Sequence, residues 1–230
     1  MTLLEAIKNR HSIRHYLSGA LTDDAVKALT DKINECNEQG NLHIQLVLNE
    51  TKGFTGLLSY GSFSGVENYL VMIGEKADDL DERVGYYGEQ IVLLAQQLGL
   101  GTCWVGLSYR KVDGVYELKT GEKLVCMIAV GYPQDNGRVL KRKTSKDVSN
   151  ASDITPQWFN LGVEAALLAP TAMNQQKFFF EYIPATEGGK PKVKAIRKFS
   201  LVGYTKLDLG IAKLHFEIAA GKENFDWLKS

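Results

Sequence analysis

The chain predicts an α+β fold with a degenerate internal duplication, and three observations point there. Segments with apolar residues at helical spacing alternate with short apolar runs of strand length, punctuated by glycine and proline. The 230 residues are 44% hydrophobic, enough to bury a substantial core without disulfides. The last 80 residues then repeat, in weaker form, the helix and strand order of the first part.

Leu3, Leu4 and Ile7 give one apolar face behind Thr2, a capping residue, so a short helix is expected over 3–9. Thr22 caps a second helix through Ala25, Val26, Leu29 and Ile33, ending near Gly40. Ile44 to Leu48 and Tyr69 to Gly74 read as strands, separated by a Gly/Ser/Thr-rich stretch, 51–65, that reads as a long loop. Val84, Tyr87, Ile91, Leu94, Ala95 and Leu98 recur at helical spacing and predict a long helix over 81–98, stopped by Gly99-Leu100-Gly101. Cys103 to Val105 is extended. Val125 to Val130 is a nearly continuous apolar run and reads as a buried strand leaving the core at Gly131-Tyr132-Pro133. A basic loop occupies 137–146. Ile154-Thr155 then opens a helix as Leu21-Thr22 does, Lys177 to Tyr182 falls where Ile44 to Leu48 fell, and Asp208 to Gly221 makes a final helix ending in glycine. The expected division is a first half, 1–150, and a truncated second half, 151–230, packed on each other as a pseudo-dimer.

Charge is balanced, with 27 basic and 27 acidic side chains, and the only basic run is Lys141-Arg142-Lys143. A general electrostatic attraction to nucleic acid or to an anionic membrane is therefore not expected, and a small molecule is the expected partner. Cys36, Cys103 and Cys126 form no Cys-x-x-Cys pair and have no histidine cluster beside them, which suggests neither a disulfide framework nor a metal site. No apolar run approaches the length that spans a bilayer and no signal core precedes Glu5, so a reducing, cytoplasmic setting is the expectation.

Three short segments carry the chemistry. In Arg10-His11-Ser12-Ile13-Arg14, alternation along an extended chain puts two guanidinium groups and a hydroxyl on one side, a set suited to phosphate. Taken alone, such a run is also what a solvated surface looks like. Gly99 to Gly106 can bring backbone close to a ligand and offer Trp104 to a flat ring, or can simply stop a helix and start a core strand. Ala169-Pro170-Thr171-Ala172-Met173-Asn174-Gln175-Gln176 is dense in short hydrogen-bonding side chains just where Pro170 ends a helix, fitting either the polar edge of a heterocycle or a helix cap.

Together these segments resemble the FMN-dependent nitroreductases, which carry an Arg-x-Ser-x-Arg start, an Ala-Pro-Ser-x-x-Asn-x-Gln motif, a Gly-Leu-Gly-Thr-x-Trp segment and a Gly-Tyr-Pro turn. The order differs from the family's. There the Ala-Pro-Ser motif follows soon after the first arginines, whereas here 33–42 lacks it and its counterpart stands in the second half, with threonine for serine and Lys177-Phe178 after it. The chain is most similar to a single-chain, pseudo-dimeric subgroup in which one polypeptide supplies what two subunits supply elsewhere.

The resemblance implies a nitroreductase-like fold, a largely antiparallel central sheet flanked by helices, with one intact FMN site per chain. By position, Arg10, Ser12 and Arg14, with His11 between them and Arg142 or Lys143 from the basic loop, hold the phosphate and ribityl tail. Pro170, Thr171, Asn174 and Gln176 meet the ring and ribityl chain, and Thr102, Trp104, Val105 and Gly106 lie along the ring. The implied activity is oxidation of a transiently bound NADH or NADPH and delivery of its electrons to a nitroaromatic, quinone or similar small acceptor, all chemistry residing on the flavin. An FMN carrier or redox sensor without turnover is the alternative. The acceptor pocket falls to the loop 54–68.

Overall fold

The computed structural model describes residues 1–55, 63–186 and 188–228. Helix α1, Leu3–Asn9, begins in a capping box in which Thr2 and Glu5 satisfy each other's backbone amides. Helix α2, Asp23–Gly40, starts on the Thr22 hydroxyl and ends at Asn41 in the left-handed region, φ 46°. Strands β1, Gln45–Val47, and β2, Asn68–Glu75, precede α3, Leu80–Gln97, and then come β3, Gly101–Val105, and β4, Glu122–Gly131. These strands form one antiparallel sheet in the order β1-β2-β4-β3.

A short α4, Ser145–Val148, leads to α5, Gln157–Ala166, the hairpin β5, Phe178–Ile183, and β6, Lys192–Arg197, then α6, Thr205–Ala220, and the two-residue β7, Asp226–Trp227. The second sheet runs β5-β6-β7, antiparallel then parallel. A helix, two antiparallel strands and a helix thus occur in succession in both parts of the chain.

The nearly continuous apolar run of β4 has a simple cause: both faces of its sheet are covered. Leu70 and Met72 of β2 with Cys126, Ile128 and Val130 of β4 join a large core that reaches α2, α3, α5, α6 and the second sheet. Tyr69, Val71, Ile73, Met127 and Ala129 point the other way, into a smaller core closed by Ile13, Tyr16, Phe54 and Val66. Helices α3 and α6 cross at the centre, backbone against backbone. A Cβ on Gly85 would lie 2.1 Å from the Leu207 carbonyl oxygen, and one on Gly210 would lie 2.0 Å from that of Glu82. The contacts are reciprocal, each glycine meeting the residue three places before the other.

Candidate functional site

After α1 the chain stays extended and docks beside the first sheet. Ser12 bridges Thr102 of β3 in parallel fashion, the Ile13 amide donates to the Thr102 carbonyl at 2.9 Å, and Tyr16 bridges Pro133. The Tyr16 hydroxyl, buried, donates to the Ile13 carbonyl at 2.7 Å and fixes the turn of the segment. Arg10 thereby enters the protein with a relative exposure of 8%, while Arg14 remains exposed.

Facing this segment is the 167–176 loop. Pro170 follows α5 and its succeeding turns, and a single 3-10 turn, Ala172–Asn174, carries the chain round. Met173, Asn174 and Gln176 all have positive φ, 51°, 52° and 44°, a conformation that costs a non-glycine residue about 1 kcal/mol or more unless its surroundings enforce it. Here they do. The Asp208 carboxylate accepts from the Ala172 amide at 2.9 Å and the Gln175 side chain at 2.8 Å, and the Thr171 hydroxyl accepts from the Gln176 amide. The basic loop is laced to the same turn. Lys143 Nζ donates to the carbonyls of Gln175 and Gln176, its amide donates to Gln176 Oε1, and Asn174 Nδ2 donates to the Lys141 carbonyl at 2.6 Å.

Between these walls lies a cleft of about 890 Å³. It is lined from the first part of the chain by Arg10, His11, Ser12, Arg14, His15, Asp135, Arg138 and Arg142, and from the second by Leu167 to Thr171, Met173 and Asn174. Four guanidinium groups thus face one carboxylate, Asp135. Arg14, Arg138 and Arg142 form no ion pair with any described residue. Arg10 Nε and Nη1 are buried and have no hydrogen-bond partner among the described residues. Partial burial, then the charges of Arg10 and Arg142, hold the His11 imidazole below its ordinary pKa.

Beneath Arg10 sits an acid that sequence reasoning did not single out. Glu89 of α3 is fully buried, accepts from Trp104 Nε1 at 2.9 Å, meets His215 Nε2 at 2.9 Å, and lies 3.7 Å from Arg10 Nε. The available signal was a charge among Gly85, Gly88 and Val92 on the buried stripe of α3.

Of the residues singled out from the sequence, Arg10, His11, Ser12, Arg14, Arg142, Pro170, Thr171 and Asn174 line this one cleft. Six others do not. Thr102 and Val105 are buried in β3, the Trp104 ring packs over Gly88, and the Gly106 carbonyl accepts from the Tyr204 hydroxyl, whose ring covers that glycine. Gln176 is turned inward, 1% exposed, with its amide donating to the Leu167 carbonyl. Lys143 spends its ammonium on backbone carbonyls, and burial lowers its pKa. The loop assigned to an acceptor splits: 56–62 lie outside the described residues, and Phe54 and Val66 are core.

Asp208 is the further residue that this geometry brings out. Burial pushes its carboxyl up to about 6 against the pull of its two hydrogen-bond donors. A carboxyl raised on folding binds its proton more tightly in the folded state, so it favours the folded chain fully below pH about 4 and loses that contribution as the pH rises through about 6. Urea unfolding at pH 4 to 7 should show a stability decline of about 2 to 3 kcal/mol from this group that is absent in Asp208→Asn.

The fold and the cleft define an α+β protein in which a strongly basic wall faces a strained, polar turn. The chain belongs to a nitroreductase family: the family model described as "Putative TM nitroreductase" matches residues 2–220. A solved structure of a "putative nitroreductase" from Thermotoga maritima MSB8 is 25% identical, with 97% of this chain and 85% of that one covered and a TM-score of 0.62. A "putative nitroreductase in complex with FMN" from Desulfovibrio desulfuricans is 17% identical over 68% of this chain and 99% of that one, TM-score 0.49. A nitroreductase of B. subtilis is 18% identical over 67% and 74%, TM-score 0.49. No curated protein matches the chain. No described helix is long and apolar enough to cross a membrane.

Proposed function

We propose that the protein is an FMN-dependent oxidoreductase that takes electrons from NADH or NADPH and passes them to a nitroaromatic, quinone or similar small acceptor. The observation that carries this reading is Arg10, buried in the cleft wall with Nε and Nη1 unpartnered among the described residues. A buried unsatisfied donor is costly, and a cationic side chain so placed in a cleft wall fits an anion that compensates its charge. The cleft volume falls within the range of about 300 to 1,000 Å³ common for cofactor sites.

In this reading Arg10 and Arg14, helped by Arg142 and the Ser12 hydroxyl, hold the dianionic phosphate, which guanidinium forks suit better than ammonium. Pro170, Thr171 and Asn174 offer an apolar edge, a hydroxyl and an amide to the ring and ribityl chain. Gln176, Lys143 and Trp104 support the walls from behind. Bound FMN would supply the hydride and electron transfer, so the chain itself needs to bind, orient and shield.

Both halves of the chain contribute to the one cleft, and we propose that they form a pseudo-dimer holding one FMN per monomer in the cytoplasm. The repeated helix–strand–strand–helix order and the reciprocal glycine crossing of α3 and α6 support the duplication, and three free, buried cysteines fit a reducing compartment.

Purified protein should be yellow, release one FMN per chain, and oxidise NADH or NADPH only when a quinone or nitroaromatic is supplied. Bound FMN without acceptor-dependent turnover would instead identify a carrier. A colourless protein that takes up no FMN would end the flavin reading altogether.

A further inference from the structure

The balanced charge of the whole chain conceals a local excess. From Met173 to Lys206, the stretch that holds hairpin β5–β6 and the loop after it, seven lysine and arginine side chains stand against two acidic ones. Of these, Lys190, Lys192, Lys194 and Arg197 form no ion pair with any described residue.

The loop 198–204, which leads from β6 into α6, turns apolar side chains to solvent. Phe199 is 81% exposed, Leu201 is 94% exposed, and Val202 is exposed beside them. Single exposed apolar residues are ordinary, but three within four positions of one loop make a patch. Exposed Leu107 adds a fourth at the loop's base, next to Gly106, whose carbonyl accepts from the Tyr204 hydroxyl at 2.8 Å. Hydrogen bonds hold the loop from behind. The Lys198 amide donates to the Lys177 carbonyl at 2.9 Å, the Val202 amide to the Ser200 hydroxyl at 3.1 Å, and Gln175 Nε2 to the Gly203 carbonyl at 2.9 Å. Arg197 and Lys198 precede the apolar residues and Lys206 follows them, so cations flank the patch on both sides. Asp78, Asp81 and Asp147 lie at its edges, with Asp81 paired to Lys123, and the hairpin lysines leave the surface cationic.

We propose that this loop and hairpin dock the protein on an anionic lipid bilayer, with Phe199, Leu201 and Val202 entering the interface and the basic side chains meeting headgroup phosphates. Shallow burial of a few apolar side chains and attraction to lipid charge are each weak alone, and together they anchor a protein reversibly. A nucleic acid fits the patch less well, because Leu201 and Val202 have no π-face for a base to stack on. A second copy of the chain fits less well too, since a self-complementary contact would bring two cationic surfaces together. The Gln175 link places a docked bilayer beside the polar turn at the rim of the cleft. The inference stands apart from the flavin reading, because none of its residues is assigned to the cofactor.

The experiment sediments the purified protein with vesicles of phosphatidylcholine alone and of phosphatidylcholine and phosphatidylglycerol in equal parts. Wild type should bind the anionic vesicles at least roughly tenfold more tightly than the neutral ones, and added salt should weaken that binding. The double variant Phe199→Ser, Leu201→Ser should lose about tenfold or more on the anionic vesicles. Lys192→Gln combined with Arg197→Gln should lose a similar amount, about fivefold for each charge that faces the lipid. All four side chains are exposed, so Tm should stay that of wild type. Equal binding to the two kinds of vesicle, or a serine variant that binds as wild type does, overturns the proposal. Dimerisation that the serine variant abolishes, without vesicle binding, overturns it in favour of a second copy, and binding to a DNA duplex in place of vesicles overturns it in favour of nucleic acid. Should the double serine variant not fold, Leu201→Ser alone should still weaken anionic-vesicle binding several-fold, and a dissociation constant equal to that of wild type would count against the proposal.

Discussion

Gly210→Val should be the most damaging single substitution on the folded chain. Its Cβ would sit 2.0 Å from the Glu82 carbonyl oxygen and near the Tyr86 amide, so the obstacle is α3 backbone that cannot rotate aside. Helices α3 and α6 would have to separate, and α6 also carries Asp208, which holds the polar turn, and His215, which holds Glu89. Overpacking at such a contact costs more than about 3 kcal/mol. In a chain of this size the Tm should fall by about 10 °C, measurable by calorimetry. Gly203→Val, at an open position, is the control for a general intolerance of glycine replacement, although its positive φ of 79° gives it a smaller cost of its own. Equal losses at both positions would remove the special status of the crossing.

The second large effect is on binding. Arg10→Gln takes away the buried cation of the cleft and leaves in place the contacts of Glu89 to Trp104 and His215. Losing a charge-assisted pair with the phosphate should weaken FMN by about 1.5 to 3 kcal/mol, roughly tenfold to a hundredfold. Riboflavin, which has no phosphate, should change much less. Arg110→Gln, at an exposed arginine outside the cleft, should leave FMN affinity as it was. Comparable losses for Arg10→Gln and Arg110→Gln would detach the phosphate from Arg10.

The sequence disclosed the elements whose signal is local. The capping residues Thr2 and Thr22 start α1 and α2, and the apolar run at 125–130 lies within β4. Helix α6 begins at Thr205, three residues before the reading of 208, because Tyr204 adopts the left-handed conformation that turns the chain into it. Strands β6 and β7 went unread. The first mixes lysines with valine, alanine and isoleucine in the second arm of a hairpin, and the second is two residues long and pairs only with β6.

The site divides in the same way. Arg10, Ser12 and Arg14 could be grouped by strand alternation, and the 170–176 turn by its density of polar side chains. Glu89, His215 and Asp208 could not, since the first two meet across 126 residues of sequence and the third meets the polar turn only when α6 packs beside it. Trp104 and Gln176 show the complementary case. Each has the chemistry to touch a ligand, and each is engaged by a buried protein group instead, Glu89 for the one and the Leu167 carbonyl for the other.

The cleft joins residues 10–15 to residues 135–174, and its walls are held by α6 beyond them. Arg10 leaves the ribosome long before the residues that complete its surroundings: Glu89 must first be placed by α3, the polar turn must wait for Asp208, and Glu89 itself waits for His215. Domains generally fold as units once their sequence has emerged. In this protein the cationic segment has no finished counterpart until α6 is made and docked. The anion binding proposed for the cleft therefore depends on α6 as much as on the segment that carries Arg10.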